Sequence, residues 1–223
     1  MNKELKDILD RALQTDPSQI GHFIQGGFMD PAIKPIDDDM RVIGPAFTLR
    51  IPRMDNSMYY HAMQFVPVGS VIVVDRMGER TIANIGEMAV RSAKAAGAVG
   101  IVVDGLNTDT RAIREMGFPV FSRGRSAATN SLRGTEGQYG ITINCGGAVV
   151  NPGDIVYGDL DGVVVAPAAI LAELVEKAIK QDQNEAEFRK AFAEGKKIQD
   201  LMNIEQLVNA NVNAKISALL NFD

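Results

Sequence analysis

The sequence holds one cysteine, two histidines and no tryptophan among 223 residues. A lone Cys145 rules out an intrachain disulfide and makes a reducing compartment the default. It precedes two glycines in an apolar setting, so it reads as a buried structural thiol rather than a nucleophile. With so few sulfur and imidazole donors, neither a Cys-rich nor a three-His zinc site can be assembled within one chain. Any metal is therefore expected to be oxygen-ligated, with Mg²⁺ or Mn²⁺ leading. Long apolar runs are missing as well: no segment approaches the roughly 18 residues of a membrane span. Residues 1–13 alternate charges with Leu and Ile and lack the apolar core of a secretory signal, so a cytoplasmic protein is expected. Basic runs are also absent. Lys and Arg number 23 against 28 Asp and Glu, a net charge of −5, which argues against a nucleic-acid partner. No Gly-rich strand–turn motif for a nucleotide cofactor precedes an acid, which argues against a methyltransferase.

What is present centres on Gly86 to Asp109, which reads G-E-M-A-V-R-S-A-K-A-A-G-A-V-G-I-V-V-D-G-L-N-T-D. Ala89, Val90, Ala93 and Ala96 share one face of a helix, and Gly97 stops it as a glycine beyond the C-cap does. Val99 to Val103 is a short β-branched run, enough for one buried strand. A second helix starts near Asp109. The order helix, buried strand, loop, helix leaves two features at the open ends: the N–H groups of Gly86–Met88 and the Asp109 carboxylate. A helix N-terminus presents unpaired N–H groups and partial positive charge, which suits a carboxylate or phosphate. Loops beyond the carboxyl ends of strands are where α/β sheets bind ligands. Glu87 and Asp109 could share a hard cation and its waters. The plainer reading of the same residues makes Glu87 a favourable first-turn acid and Asp109 an N-cap.

Around this stretch, helical patterns cover residues 1–14, 16–24 and 55–65, where Asp16-Pro17 and Asp55-Asn56-Ser57 act as start signals. Arg41 to Arg50 reads as a strand whose Gly44-Pro45 pair predicts a bulge or an edge position. Ser70 to Val74 and Phe118 to Phe121 are further strands, followed by loops at 75–86 and 122–138 respectively. Tyr139 to Ala166 holds hairpin-linked strands around the turns Asn151-Pro152-Gly153-Asp154 and Asp159 to Gly162. Asp159 and Asp161 read as turn formers. A long helix from Pro167 to about Ala193 stops at Gly195, and a last one, from about Ile204 to Leu220, carries Ile204, Leu207, Val208, Val212, Ile216, Leu219 and Leu220 on one apolar face. That face must pack on the domain or on a neighbouring subunit. Alternating helices and strands followed by hairpins indicate a mixed α/β class. One domain over 1–223 is expected, with a core at about 41–167 and helical extensions at 1–40 and 168–223.

Three segments resemble a known family: I-G-P-A-F-T at 43–48, the 86–121 stretch through F-P-V-F, and G-G-A-V-V-N-P-G-D-I-V-Y-G-D-L-D-G-V-V-V-A-P at 146–167. The chain is similar to the RNase E activity regulator and the 4-hydroxy-4-methyl-2-oxoglutarate/4-carboxy-4-hydroxy-2-oxoadipate aldolases, over residues 41–195. The resemblance implies an α/β swivelling β/β/α fold, assembled as homotrimers or hexamers with an inter-subunit site. It also implies a divalent-metal-dependent lyase that releases pyruvate from a 4-hydroxy-2-oxo diacid, with oxaloacetate decarboxylation as a side activity. The family signature, an acid, twenty residues, then Arg-Asp, falls here on Glu87 and Thr108-Asp109. By that resemblance Asp109 is the metal's direct ligand, for Mg²⁺ or Mn²⁺, and Glu87 holds a metal-bound water. The backbone at Gly86, Glu87, Met88 and Ala89 takes the carboxylate of the small 2-oxo acid substrate. Glu185 comes from the long C-terminal helix of an adjacent subunit; its other reading is a solvated helix face.

Thr108 departs from the family, since a hydroxyl cannot replace a bidentate cation. Arg111 or Arg80 could compensate by swinging in. Otherwise the substrate differs, or the protein is a non-catalytic regulator of the RNase E inhibitor kind. Lys94 is expected to be exposed at mid-helix, so no Schiff base is invoked. His22 and His61 read as structural or surface residues, and Arg123 and Arg125 as surface residues of the 122–138 loop.

Overall fold

The computed structural model describes residues 3–211. Two compact units divide the chain, Met1–Ile179 and Lys180–Asp223. In the first unit, helices α1 (Lys3–Ala12) and α2 (Pro17–Gly21) precede strand β1 (Val42–Arg50). Helix α3 (Ser57–Ala62) and a 3₁₀ turn, Met63–Phe65, lead to β2 (Val71–Asp75). Helix α4 (Glu87–Ala95), β3 (Gly100–Val103), α5 (Thr110–Met116) and β4 (Val120–Ser122) follow. The antiparallel pair β5 (Ile155–Asp159) and β6 (Gly162–Ala166) closes the unit's sheet, and α6 (Ala168–Ala193) begins just after it.

The sheet order is Lys34–Pro35, β4, β3, β2, β1, β5, β6, with Gln138–Tyr139 also pairing β1. Strands β1 to β4 run parallel, and β5 and β6 turn back antiparallel. The segment 27–35 then nearly closes the sheet into a barrel. Its start pairs with β6, where Met29 N–H donates to the Val163 carbonyl at 2.9 Å and Val165 N–H to Gly27 at 2.8 Å. Its end, Lys34–Pro35, pairs with β4, and Lys34 Nζ donates to the Leu160 and Asp161 carbonyls across the seam. A Cβ on Gly27, at φ +83°, would stand 2.0 Å from the Val165 oxygen, so only glycine fits this crossing.

Strand periodicity sorts the core. Ile72, Val74, Ile101 and Val103 face α3, α4 and α5, whereas Val71, Val73 and Val102 face inward with Phe121, Val156 and Val165. Both faces of β2 are covered, which is why Val-Ile-Val-Val reads as a continuous apolar run rather than an alternation. A third cluster packs α1, α2 and the start of α6 on Tyr157 and Val164.

The mixed α/β class expected from the sequence is the one observed. One local expectation is corrected: β1 is neither bulged nor at an edge. It pairs β5 through Val42–Pro45 and β2 from Ala46 onward. Pro45 therefore sits where the parallel partner has not yet begun, and its missing N–H costs that ladder nothing. The sequence pattern predicts loops at 75–86, 104–109 and 122–138. The structure places a three-stranded parallel ribbon there: Ala83–Ile85, Leu106–Asn107 and Gly124–Arg125.

The second unit begins within α6, and helix α7 (Ile198–Leu201) follows Gly195, which takes φ +83°. Residues 204–211 are helical. Val212, Ile216, Leu219 and Leu220 of the expected terminal helix lie outside the described residues. Among the described residues no helix is long and apolar enough to cross a membrane.

Candidate active site

Two ribbon strands deliver two helix N-termini side by side. Ala83–Ile85 runs through Gly86 into α4, and Leu106–Asn107 runs through Thr108-Asp109 into α5. Thr108 N–H donates to the Ile85 carbonyl at 2.9 Å, which holds the two turns in contact. Gly86 permits that approach: a Cβ there would meet Asp109 Oδ2 at 2.6 Å and Thr108 Cγ2 at 2.9 Å. Asn107, fully buried, braces the second turn. Its Oδ1 accepts from Ser122 Oγ at 2.8 Å, and its Nδ2 donates to Thr110 Oγ1 at 2.8 Å. Asn107 is a positioning residue the sequence reading missed. A buried polar strand residue carries no periodic signal.

Asp109 is the centre of the arrangement. Its backbone is left-handed, at φ +52° and ψ +32°, a conformation Asp tolerates at a modest cost. The turn swings its carboxylate away from its own helix. Asp109 occupies the N-cap position of α5, where its carbonyl accepts the Ile113 N–H at 3.1 Å, but its side chain makes no cap bond to that helix. Instead Asp109 Oδ2 accepts the N–H of Glu87, the first residue of α4, at 3.0 Å. The N-terminus of α4 thus already holds one carboxylate oxygen, as its orphan N–H groups and partial positive charge favour. Oδ1 has no protein donor among the described residues. Val90 N–H makes the first helical bond, to Gly86, so the Met88 and Ala89 N–H groups remain without an intrahelical acceptor.

The other expected site residues fall as follows. Glu87 is half-buried, and its Oε1 accepts both Nε and Nη2 of Arg91, at 2.8 and 2.7 Å. Met88 is exposed; the Ala89 side chain is in the core and its carbonyl accepts the Tyr59 hydroxyl. Thr108 is half-buried beside Gly86. Arg111 is exposed on α5 with no partner among the described residues. Arg80 is not at this turn: it donates to the Asp104 carbonyl at 2.7 Å and pairs with its carboxylate at 3.0 Å. Glu185 lies in the second unit, 3.6 Å from Arg189. Lys94 is exposed, as expected. Asp161 N–H donates to Asp159 Oδ1 at 2.9 Å, so that pair shapes its turn.

A separate cavity of about 680 Å³ opens at the carboxyl ends of β1, β2 and β3, lined by Arg50, Asp75, Arg80, Asp104 and Arg123 among others. Here a surface expectation is corrected. The Arg123 side chain is only 13% exposed, held between Asp104 and Asp30. Burial works against its charge, but the two carboxylates more than offset this and raise its pKa. The Ala32 N–H, and then Arg123, hold Asp30 below the usual carboxylate range. Cys145 behind the cavity is fully buried, and burial, then Asp104 and Asp75, push its thiol well up. It is inert, as the sequence indicated.

Among the described residues no three His, Cys, Asp or Glu side chains group closely enough to form a closed metal cage. The donor set at α4 and α5 instead offers one free carboxylate oxygen on Asp109 and a second carboxylate on Glu87. That fits a hard divalent ion that keeps most of its waters, as Mg²⁺ does.

A family model described as RraA-like, Aldolase/RraA, matches residues 7–165. A Halalkalibacterium halodurans protein named "Putative 4-hydroxy-4-methyl-2-oxoglutarate aldolase" is 36% identical over 162 residues, covering 73% of this chain and 77% of that protein. Among solved structures, an uncharacterized Pseudomonas syringae protein superposes with a TM-score of 0.73 at 27% identity, covering 87% of this chain and 96% of its own. Streptomyces coelicolor RraAS2, described as an unusual member of the RNase ES inhibitor RraA protein family, superposes with a TM-score of 0.72 at 28% identity, covering 82% and 97%.

Proposed function

The chain belongs to the RraA-like family, and from that premise we propose that it is a divalent-metal-dependent lyase cleaving a 4-hydroxy-2-oxo diacid to pyruvate, with oxaloacetate decarboxylation as a related activity. One observation carries the reading: Asp109 seats one carboxylate oxygen on the α4 N-terminus and leaves the other without a partner among the described residues. This is a donor arrangement for a hard cation placed beside an anion-binding helix end.

In this reading Asp109 holds Mg²⁺ or Mn²⁺ and the Met88 and Ala89 N–H groups receive the substrate's C1 carboxylate. Bound there, the cation supplies Lewis acidity at the keto oxygen, where negative charge develops as the C–C bond breaks. Glu87 moves the proton of the C4 hydroxyl; its Oε2 is the oxygen that Arg91 leaves free. Glu185 of a neighbouring copy completes the site in a homotrimer or hexamer. The half-buried Thr108 side chain lies with its methyl group against Gly86 and contributes no charge. The buried free thiol fits a cytoplasmic protein.

A second reading rests on Thr108 as well. Without a guanidinium at that position, a non-catalytic regulator of the kind for which RraAS2's family is named also accommodates the fold. Pyruvate release from 4-hydroxy-4-methyl-2-oxoglutarate and from oxaloacetate, with Mg²⁺ and then with EDTA, separates the two. The lyase reading expects Mg²⁺-dependent pyruvate that EDTA abolishes. No pyruvate above the blank with either substrate supports the regulator.

A further inference from the structure

The candidate site has two carboxylates, Glu87 and Asp109, and Thr108 brings no cation to balance them or to meet a dianionic substrate. Of the two arginines that could fill this gap by reach along the sequence, Arg80 is committed to Asp104, and Arg111 is exposed with no hydrogen-bond or ion-pair partner among the described residues. The structure presents a third. Arg91 stands one turn into α4, and helical side chains lean toward the N-terminus, so a long side chain at this position lies over the first turn. Its guanidinium reaches Glu87, bonding one oxygen with Nε at 2.8 Å and Nη2 at 2.7 Å. The Arg91 side chain remains 56% exposed, and Nη1 has no acceptor among the described residues.

We infer that Arg91 is the specificity-determining residue of this site, binding the second carboxylate of a 2-oxo diacid. The inference rests on the lyase reading and names the substrate feature that reading leaves open. The order along α4 sets the direction. The C1 carboxylate and keto group sit at the helix tip beside Asp109. The Arg91 guanidinium stands over the first turn beside the Glu87 carboxylate rather than at the Met88 and Ala89 N–H groups, so a ligand whose C1 carboxylate takes those N–H groups offers it a second, remote carboxylate. A planar guanidinium with free N–H groups recognises a carboxylate in two-pronged fashion. Pairing with Glu87 holds it in place without a ligand, so less side-chain freedom is lost on binding than for a free arginine. A mono-acid 2-oxo substrate has no group for Arg91, and the residue separates the two classes.

Two non-cleavable probes test this by calorimetry in the presence of Mg²⁺: oxalate, which reaches only the helix tip, and 2-oxoglutarate, which carries the remote carboxylate. Arg91→Met is expected to leave oxalate affinity unchanged and to weaken 2-oxoglutarate by roughly 10- to 100-fold, as for a lost hydrogen-bonded charge pair. Arg91→Lys recovers part of the loss. Unchanged relative affinity in Arg91→Met overturns the assignment, as does a loss that appears instead in Arg111→Met. Wild-type protein that binds neither probe overturns the lyase reading itself, so the two failures are distinguishable.

Discussion

Replacing Gly86 by Ala tests the site where geometry is tightest. The added methyl would stand 2.6 Å from Asp109 Oδ2 and 2.9 Å from Thr108 Cγ2. Ordinary contacts begin near about 3.5 Å, so the carboxylate must retreat by about 0.9 Å. The backbone itself is not the obstacle, because Gly86 sits at φ −124°, which any residue adopts. The perturbation is therefore a local displacement of Asp109, and the Glu87 N–H bond of 3.0 Å stretches past useful length. Asp109 is exposed, so the loss in stability is small, about 1 kcal/mol, as for a lost helix N-cap. In a chain of this size that is roughly 2–4 °C in Tm. The cost to chemistry is larger, since a shift of about 1 Å in a positioning group reduces rate by about 100-fold. The assay is Mg²⁺-dependent pyruvate release beside a melting curve. A fall of about two orders in kcat/KM with a nearly unchanged Tm is the expected pair. Wild-type turnover in Gly86→Ala refutes the role given to the Gly86–Asp109 contact; a Tm loss above about 10 °C refutes the claim that the contact is local.

Gly27→Ala should damage the fold rather than the site. A left-handed φ of +83° and a methyl 2.0 Å from the Val165 oxygen together break the barrel seam, at a cost of about 3 kcal/mol or more; urea unfolding measures it, and a loss below about 1 kcal/mol contradicts the seam. Glu79 should contribute to acid sensitivity. Thr81, through its hydroxyl and N–H, and the Ile82 N–H lower its pKa from 4.5 to about 2. A carboxylate depressed on folding contributes stability that is whole above its unfolded pKa and drains as pH falls toward the folded one. Wild type should therefore lose stability between about pH 4.5 and pH 2 more steeply than Glu79→Gln, and parallel pH profiles of Tm would contradict this.

Much of this was legible in the residues. The helix after Gly86 and the buried strand at Val99–Val103 announce themselves by spacing, and the distance from Glu87 to Asp109 brings their turns together in the folded chain. The ribbon that joins those turns was not legible, because pairs of two or three residues are too short to show a period. Pro45 misled for a related reason. Proline argues against a central strand only where its N–H would be needed, and β1 changes partner at that residue. The N-cap position of Asp109 was legible, but the direction of its carboxylate was not: the side chain serves the Glu87 N–H of the neighbouring helix, a contact between residues 22 apart that Gly86 leaves room for. Arg123 looked exposed because it lies in a Gly- and Ser-rich segment. Its burial depends on Asp30 and Asp104, far from it along the chain.

Crystals soaked with Mn²⁺ and oxalate, read by anomalous scattering, address the central claim most directly. The account predicts a Mn²⁺ peak at the Asp109 carboxylate with oxalate against the Met88 and Ala89 N–H groups, and no such peak in Asp109→Asn. A peak elsewhere on the chain, such as among Asp75 and Asp104, or none at all at saturating Mn²⁺, contradicts it.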